Sequence, residues 1–240
     1  ELTIVPLYTQ YQQYLNASLE TTDAEENKQN FKKYVLDYIG EVGEEEKIDT
    51  SILKTDFSLK PTPHKQQLLK QLDTLINQHD EIKEIIASTY ADSNQILPKE
   101  KGTVFIAPYN PEFFYDSEPL KGVAGAAYKD AFILFLDTDF DKGVLAYTTA
   151  HEYHHLIVQN HPGFRLKTIL DSVIIEGKAD TFADQIVKDV TPPWNVEIDE
   201  ATMEHIASRV NDYETTYTDF AVGNYQKDMP RWSNYILGRD

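Results

Sequence analysis

Five consecutive residues, His151-Glu152-Tyr153-His154-His155, read H-E-x-x-H. In an α-helix, residues four apart share one face. His151 and His155 can therefore offer two imidazoles to one metal ion, and Glu152 can reach a water bound to it. A catalytic zinc uses three protein ligands and keeps one position open. The stretch Ile175-Glu176-Gly177-Lys178-Ala179-Asp180 offers the third. Glu176 follows His155 by about twenty residues, enough for a helix end, a loop and entry into an antiparallel neighbour. Asp180 stands one turn beyond Glu176 on the same face, where a carboxylate can accept the free ring N–H of a metal-bound histidine. The implied chemistry is hydrolysis by a metal-activated water. The plainer reading, two structural histidines, is weakened by the glutamate between them and the Glu/Asp pair downstream. His154 points about 100° away from His155 and is expected against its neighbours or in solvent. Tyr153 is expected to pack, and His161, in the loop between the two helices, is not counted as a ligand.

These side chains need two helices and a sheet to hold them. No Pro or Gly interrupts residues 144 to 160, and Ala146 to Ala150 and Leu156 to Val158 flank the motif. A second helical pattern runs from about 167 to 189, closed by Thr191-Pro192-Pro193-Trp194. Thr103-Val104-Phe105-Ile106-Ala107 reads as a short strand ended by Pro108. Gly122 to Tyr128 and Ala131 to Leu136 read as a hairpin with a two-residue turn at Lys129-Asp130. The second of these strands is apolar throughout and should be central. The first is built of small residues, Gly122, Val123, Ala124, Gly125 and Ala126. That suits an edge which another backbone approaches, or a strand crowded under a helix. Asp137-Thr138-Asp139-Phe140-Asp141-Lys142-Gly143 starts like a calcium loop, but its glycine is one place late and Thr148 stands where a glutamate is needed. Asp139 or Asp141 is expected to cap the motif helix instead.

The first hundred residues read as helical and charged. Tyr8, Tyr11, Tyr14 and Leu15 keep helical spacing. A helix over about 26 to 42, with Phe31, Tyr34, Val35 and Tyr38 on one face, is expected to end at Gly40 and Gly43. Glu44-Glu45-Glu46 then reads as a solvated turn, and Pro61-Thr62-Pro63 precedes one long helix over about 64 to 88. His64 and His79 read as surface residues. Asn110 to Pro119 reads as a turn-rich loop, and about 200 to 212 as a helix containing His205. The expected architecture is α+β, mainly helical. A small mixed sheet, with strands near 103–107, 122–128 and 131–137, packs on the H-E-x-x-H helix. Residues 1–100 form a helical N-terminal region and 101–240 a catalytic region, able to merge into one domain.

The pair His151-Glu152-x-x-His155 and Glu176-x-x-x-Asp180 resembles the gluzincin clan of zinc metallopeptidases, the thermolysin-like group. His-Glu-Tyr-His-His, with Leu-Asp-Ser-Val-Ile-Ile-Glu-Gly-Lys-Ala-Asp at 170–180, is similar to the YjaZ-like family of predicted bacterial zinc-dependent proteases. The likeness runs from about 120 to 190, with a weaker echo at Pro230-Arg231-Trp232. It implies a thermolysin-like core and Zn²⁺ held by His151, His155 and Glu176. Glu152 would be the general base, and Asp180 would orient a ligand histidine. The strand Gly122, Val123, Ala124, Gly125, Ala126 would be the edge that pairs with an extended substrate. Pro230-Arg231-Trp232-Ser233-Asn234-Tyr235 resembles a C-terminal segment of the family, which makes Tyr235 the candidate donor to the oxyanion. Arg231 is a candidate for orienting a substrate carbonyl or carboxylate.

Composition limits the partners. The chain has 240 residues, enough for one sizeable core, and a formal charge of −18. Phosphate contacts need clustered Lys and Arg, so a nucleic-acid partner is not expected; an acidic face would attract cationic peptides. No run of about 18 apolar residues exists, so no transmembrane helix is expected. No signal peptide is visible, and because the chain opens on Glu1 rather than Met, an upstream segment is expected. A further helix is expected after Asp240. With no cysteine, disulfides, thiolate metal sites and cysteine nucleophiles are excluded. Exported proteins of many Gram-positive bacteria share that feature, which points to secretion or the cell surface, with the cytoplasm as the alternative. The expected function is that of a zinc-dependent peptidase acting on a peptide or protein. The alternatives are a zinc-stabilised binding protein without turnover and a zinc hydrolase of a non-peptide substrate.

Overall fold

The computed structural model describes residues 1–112 and 119–239. Its four strands are β1 (Leu2–Pro6), β2 (Gly102–Pro108), β3 (Val123–Ala127) and β4 (Ala131–Leu136). They lie in the order β1-β2-β4-β3. β1 and β4 both run parallel to β2, with Leu2 opposite Gly102 and Thr103 opposite Ala131. β3 runs antiparallel to β4, with Gly125 opposite Leu134. The sheet is therefore mixed, β4 is central, and β3 is an edge. Every residue of β2 and β4 is buried, as expected for strands covered on both faces.

The helices are α1 (Tyr8–Ser18), α2 (Ala24–Phe31), α3 (Asp37–Glu46), α4 (Lys65–Asn77), α5 (His79–Ile96), α6 (Lys142–Gln159), α7 (Ile169–Ile186), α8 (Glu200–Arg209), α9 (Tyr217–Ala221) and α10 (Ser233–Arg239). α6 packs on β3 and β4 with α5 beside it, while α1 and α4 pack on each other and on β2. One apolar cluster joins these elements, from Val5 and Leu7 through Ile133 and Leu134 to Leu156 and Phe182. Burial of this kind, at about 25 cal/mol per Å² of apolar surface, is the main force that fixes α6 against the sheet.

Several local readings change. β1 is a strand in a region expected to be helical; its five residues feed the sheet from the far side of β2. The helix expected to stop at Gly40 and Gly43 runs through both. It passes from α2 through a π-helical turn at Lys32–Leu36 into α3, and ends where Lys47 turns left-handed at φ 60°. Gly43 serves packing instead: a Cβ there would lie 2.8 Å from Thr50 Oγ1. Glu44, Glu45 and Glu46 form the last turn of α3 rather than a loop. The single helix expected over 64–88 is two, α4 and α5, divided at Gln78, whose side-chain amide bonds Thr138 O at 3.2 Å. His79 is half-buried with its ring edge-on to Tyr8, not a surface residue. Of the loop expected from Asn110 to Pro119, residues 113–118 lie outside the described residues.

The elements that carry the motif are locally well specified. The hairpin closes with Tyr128 N–H to Ala131 O at 2.8 Å, leaving Lys129-Asp130 as the turn. Asp141 caps α6 by accepting from Val144 N at 2.9 Å. Thr168 and Asp171 form a reciprocal capping box that starts α7. α10 crosses α7 where Gly177 meets Gly238 with almost no separation. A Cβ on Gly177 would sit 1.9 Å from Gly238 O.

Gly177→Ala should therefore force α10 off α7. An overpacking cost of about 1–3 kcal/mol is expected, read as a lower urea midpoint. Gly163→Ala, whose Cβ would come no closer than 3.3 Å to its nearest neighbour, should cost less.

Candidate metal centre

α6 is buried on almost every side, from Val144 to Leu156, because β3, α5 and α7 all pack against it. Polar side chains within that span must find partners, and His151 and His155 find them across the α6–α7 interface. His155 Nε2 lies 2.9 Å from His151 Nε2. Glu176 Oε2, from α7, lies 3.1 Å from His151 Nε2 and 3.2 Å from His155 Nε2. The three atoms form a nearly equilateral triangle. A tetrahedral ion with arms of about 2.0–2.1 Å keeps its donors about 3.3–3.4 Å apart, close to the spacing here.

The tautomers support the same conclusion. Asp180 Oδ1 lies 2.9 Å from His151 Nδ1. A carboxylate only accepts, so Nδ1 carries a proton, and in the neutral ring the Nε2 lone pair is directed to Glu176 and His155. Two imidazole lone pairs and a carboxylate oxygen converging in a buried space repel one another unless a cation or a proton lies between them. Among the described residues, His151, His155 and Glu176 are the group able to hold a metal ion, and the donor set suits zinc.

Without an ion, protons take its place. Burial pulls the His151 pKa down, but hydrogen bonds to Asp180 and Glu176 outweigh it and lift the pKa to about 10. Burial pushes Glu176 up, yet the charge of His155 and the bonds to both histidines hold it well below the usual carboxylate range. Glu152 is buried beside the pair, and burial raises its pKa against the pull of His155 and His151. His154 is not in solvent. It is buried with its ring 5.7 Å from that of Phe182, and burial, aided by the charge of His155, lowers its pKa to about 4. Tyr153 packs as expected, donating from its hydroxyl to Leu97 O at 2.6 Å.

β3 lies directly over the face of α6 that carries Glu152 and Thr148. A Cβ on Gly125 would meet Glu152 Cγ at 2.7 Å and Thr148 Cγ2 at 2.9 Å, so the small strand is needed for the helix to come this close. β3 is an edge as well. Gly122 O bonds Asp137 N, and the register makes Ala124 and Ala126 the residues whose backbone groups face β4. Val123, Gly125 and Ala127 turn theirs outward. Val123 N–H is taken by Leu120 O at 3.1 Å. Ala127 donates its N–H to Glu152 and accepts from Gln159 Nε2 at 3.0 Å. Gly122 lies just before the strand, at φ +74° against Phe140.

Tyr235, on α10, has its ring 5.9 Å from that of His151 and 5.3 Å from that of Trp194. Burial and then the charge of Glu176 raise its pKa well above the ordinary value. Arg231 points elsewhere, its guanidinium 4.6 Å above the Trp232 ring. Three further residues complete the surroundings. Trp194 Nε1 donates to both oxygens of Asp180 at 3.0 Å. Arg239 reaches Asp180 Oδ2 at 3.3 Å. Tyr217 is half-exposed, but its hydroxyl bonds Ser172, and burial and Glu176 raise its pKa. Trp194 had a reading only as part of a helix stop, and the spacing rules say nothing of contacts between such distant segments.

Residues 82–238 match the family described as "Predicted Zn-dependent protease (DUF2268)". The chain belongs to this family of predicted Zn-dependent proteases. It is also similar to the uncharacterized protein YjaZ of Bacillus subtilis (strain 168), 39% identical over 59 residues. That stretch is 24% of this chain and 23% of the relative's length. No solved structure matches the chain.

Zinc must displace the extra proton that His151 holds up to about pH 10 in the metal-free protein. Zinc affinity should therefore strengthen by about tenfold per pH unit between about pH 7 and 9, with about one proton released per ion. Calorimetry in buffers of different ionisation enthalpy measures both. In chelator the sign reverses. The stabilisation from His151 is full below its ordinary pKa of 6.5 and is lost as the pH rises through about 10.

Proposed function

We propose that this chain, as a member of the family of predicted Zn-dependent proteases, is a zinc peptidase of gluzincin type with a thermolysin-like core. The observation that carries the reading is the approach of His151 Nε2, His155 Nε2 and Glu176 Oε2 to within 2.9–3.2 Å of one another, with Glu152 buried alongside. His151, His155 and Glu176 are the ligands. A zinc ion held there would lower the pKa of a water and polarise a scissile carbonyl. Asp180 keeps the His151 lone pair turned toward the ligand site.

Glu152 is the general base. It accepts the proton of the attacking water and delivers it to the leaving amine. Burial raises its pKa, a shift in the direction that strengthens a carboxylate as a base. The Ala127 N–H fixes one side of its carboxylate, and Gly125 leaves room for it. Gly122, Val123, Ala124, Gly125 and Ala126 are the substrate edge. Within them, the outward carbonyl of Val123 and both outward groups of Gly125 bind the substrate backbone as an added strand. Tyr235 donates to the oxyanion as it forms, from a ring already seated against His151.

Two substitutions test these assignments. Glu152→Gln should keep stoichiometric zinc, measured by elemental analysis, and lose about 10²–10⁴-fold in peptide cleavage; full activity would remove Glu152 as the base. Tyr235→Phe should lower kcat by about 10²–10³-fold with little change in KM or zinc content. An unchanged kcat would take the oxyanion role away from Tyr235.

A further inference from the structure

Asp180 is fully buried, yet its carboxylate sits among four donor contacts from three separate segments of the chain. His151 Nδ1 from α6 meets Oδ1 at 2.9 Å, and Trp194 Nε1 spans both oxygens at 3.0 Å. Arg239 Nη1, in the last turn of α10, meets Oδ2 at 3.3 Å. Arg239 is itself held, by Asp184 Oδ2 at 3.0 Å and by the Tyr147 hydroxyl at 3.1 Å. Tyr147 in turn donates to Asp184 Oδ1 at 3.0 Å.

We propose that Arg239 and Trp194 are positioning residues for the metal: they fix Asp180, Asp180 fixes His151, and seating of α10 on α7 thereby sets how tightly the site retains zinc. This rests on the metal-site reading above and adds to it a dependence on residues that touch no ligand atom. A carboxylate taken wholly out of water must have its oxygens met by donors, or it shifts and takes its histidine along. The indole supplies one rigid N–H, shared between both oxygens as a three-centre bond. The guanidinium supplies the opposite charge to the Asp180 side away from His151, in a fork that also grips Asp184. Trp194 further confines the His151 ring, with ring centroids 5.6 Å apart. Since Gly177 and Gly238 let α10 lie in contact with α7, the arm that delivers Arg239 also delivers Tyr235.

The test is the zinc dissociation constant of the full chain, by competition with a chromogenic chelator, for wild type, Arg239→Gln, Arg239→Lys, Trp194→Phe, Asp180→Asn and the double variant Arg239→Gln/Asp180→Asn. Asp180→Asn should weaken zinc by about 10–100-fold, and Arg239→Gln and Trp194→Phe by about tenfold each. Arg239→Lys should recover part of the loss, and the double variant should be no weaker than Asp180→Asn alone. Cobalt substituted for zinc should report the change as an altered visible spectrum. If Arg239→Gln does not fold without metal, Trp194→Phe and Arg239→Lys carry the test. Wild-type affinity in Trp194→Phe and Arg239→Gln would overturn the proposal, and so would additive losses in the double variant. A wild-type chain that binds no stoichiometric zinc would instead overturn the metal-site reading itself.

Discussion

Electrostatic conflict governs this structure. Two imidazole nitrogens and a carboxylate oxygen face each other within 2.9–3.2 Å in a buried interface. The two nitrogens cannot both present lone pairs there beside an ionised Glu176 unless a proton or a cation lies among the three atoms, because each would then offer electron density to the others. The surrounding layers hold the conflict in place: α6 is pinned by the sheet and α5, α7 by its packing on α6, and Asp180 by donors that stop His151 from turning over.

The price of burying this much polarity falls on the sheet. β4 must be wholly apolar and central, so that α6 has a firm floor, and β3 must be nearly without side chains so that Glu152 can lie against it. The same crowding accounts for the strand's composition without any appeal to a ligand. Its position at the sheet edge is a separate fact, set by the β1-β2-β4-β3 order. The two together put an outward-turned backbone next to the candidate base.

Local spacing made much of the site legible. The i, i+4 histidines, the Glu/Asp pair one turn apart, the Asp141 cap and the two-residue hairpin each depend on residues close in the chain, where periodicity speaks directly. The run of glycine and alanine left a sheet edge and a strand crowded under a helix equally open, and β3 is both. What escaped were contacts made over distance. Trp194 and Arg239 reach Asp180 from 14 and 59 residues away, and no pattern of spacing marks them. β1 is five residues long and pairs with a strand a hundred positions on, so its alternation was too short to read. Gly40 and Gly43 misled for a different reason. Glycine is a poor helix former by about 1 kcal/mol, but at Gly43 the close approach of Thr50 needs the missing Cβ, and there packing outweighs propensity.

The pleat of β3 carries a consequence for any peptide laid along it. Outward backbone groups recur only at alternate residues, Val123, Gly125 and Ala127, and Ala127 is already engaged with Glu152 and Gln159. A guest strand can slide along such an edge only in two-residue jumps, because a single-residue slip reverses which of its groups meet the host and which way its side chains point. The edge would thus act as a ruler with a two-residue graduation, offering every second peptide bond of an added strand in the same orientation.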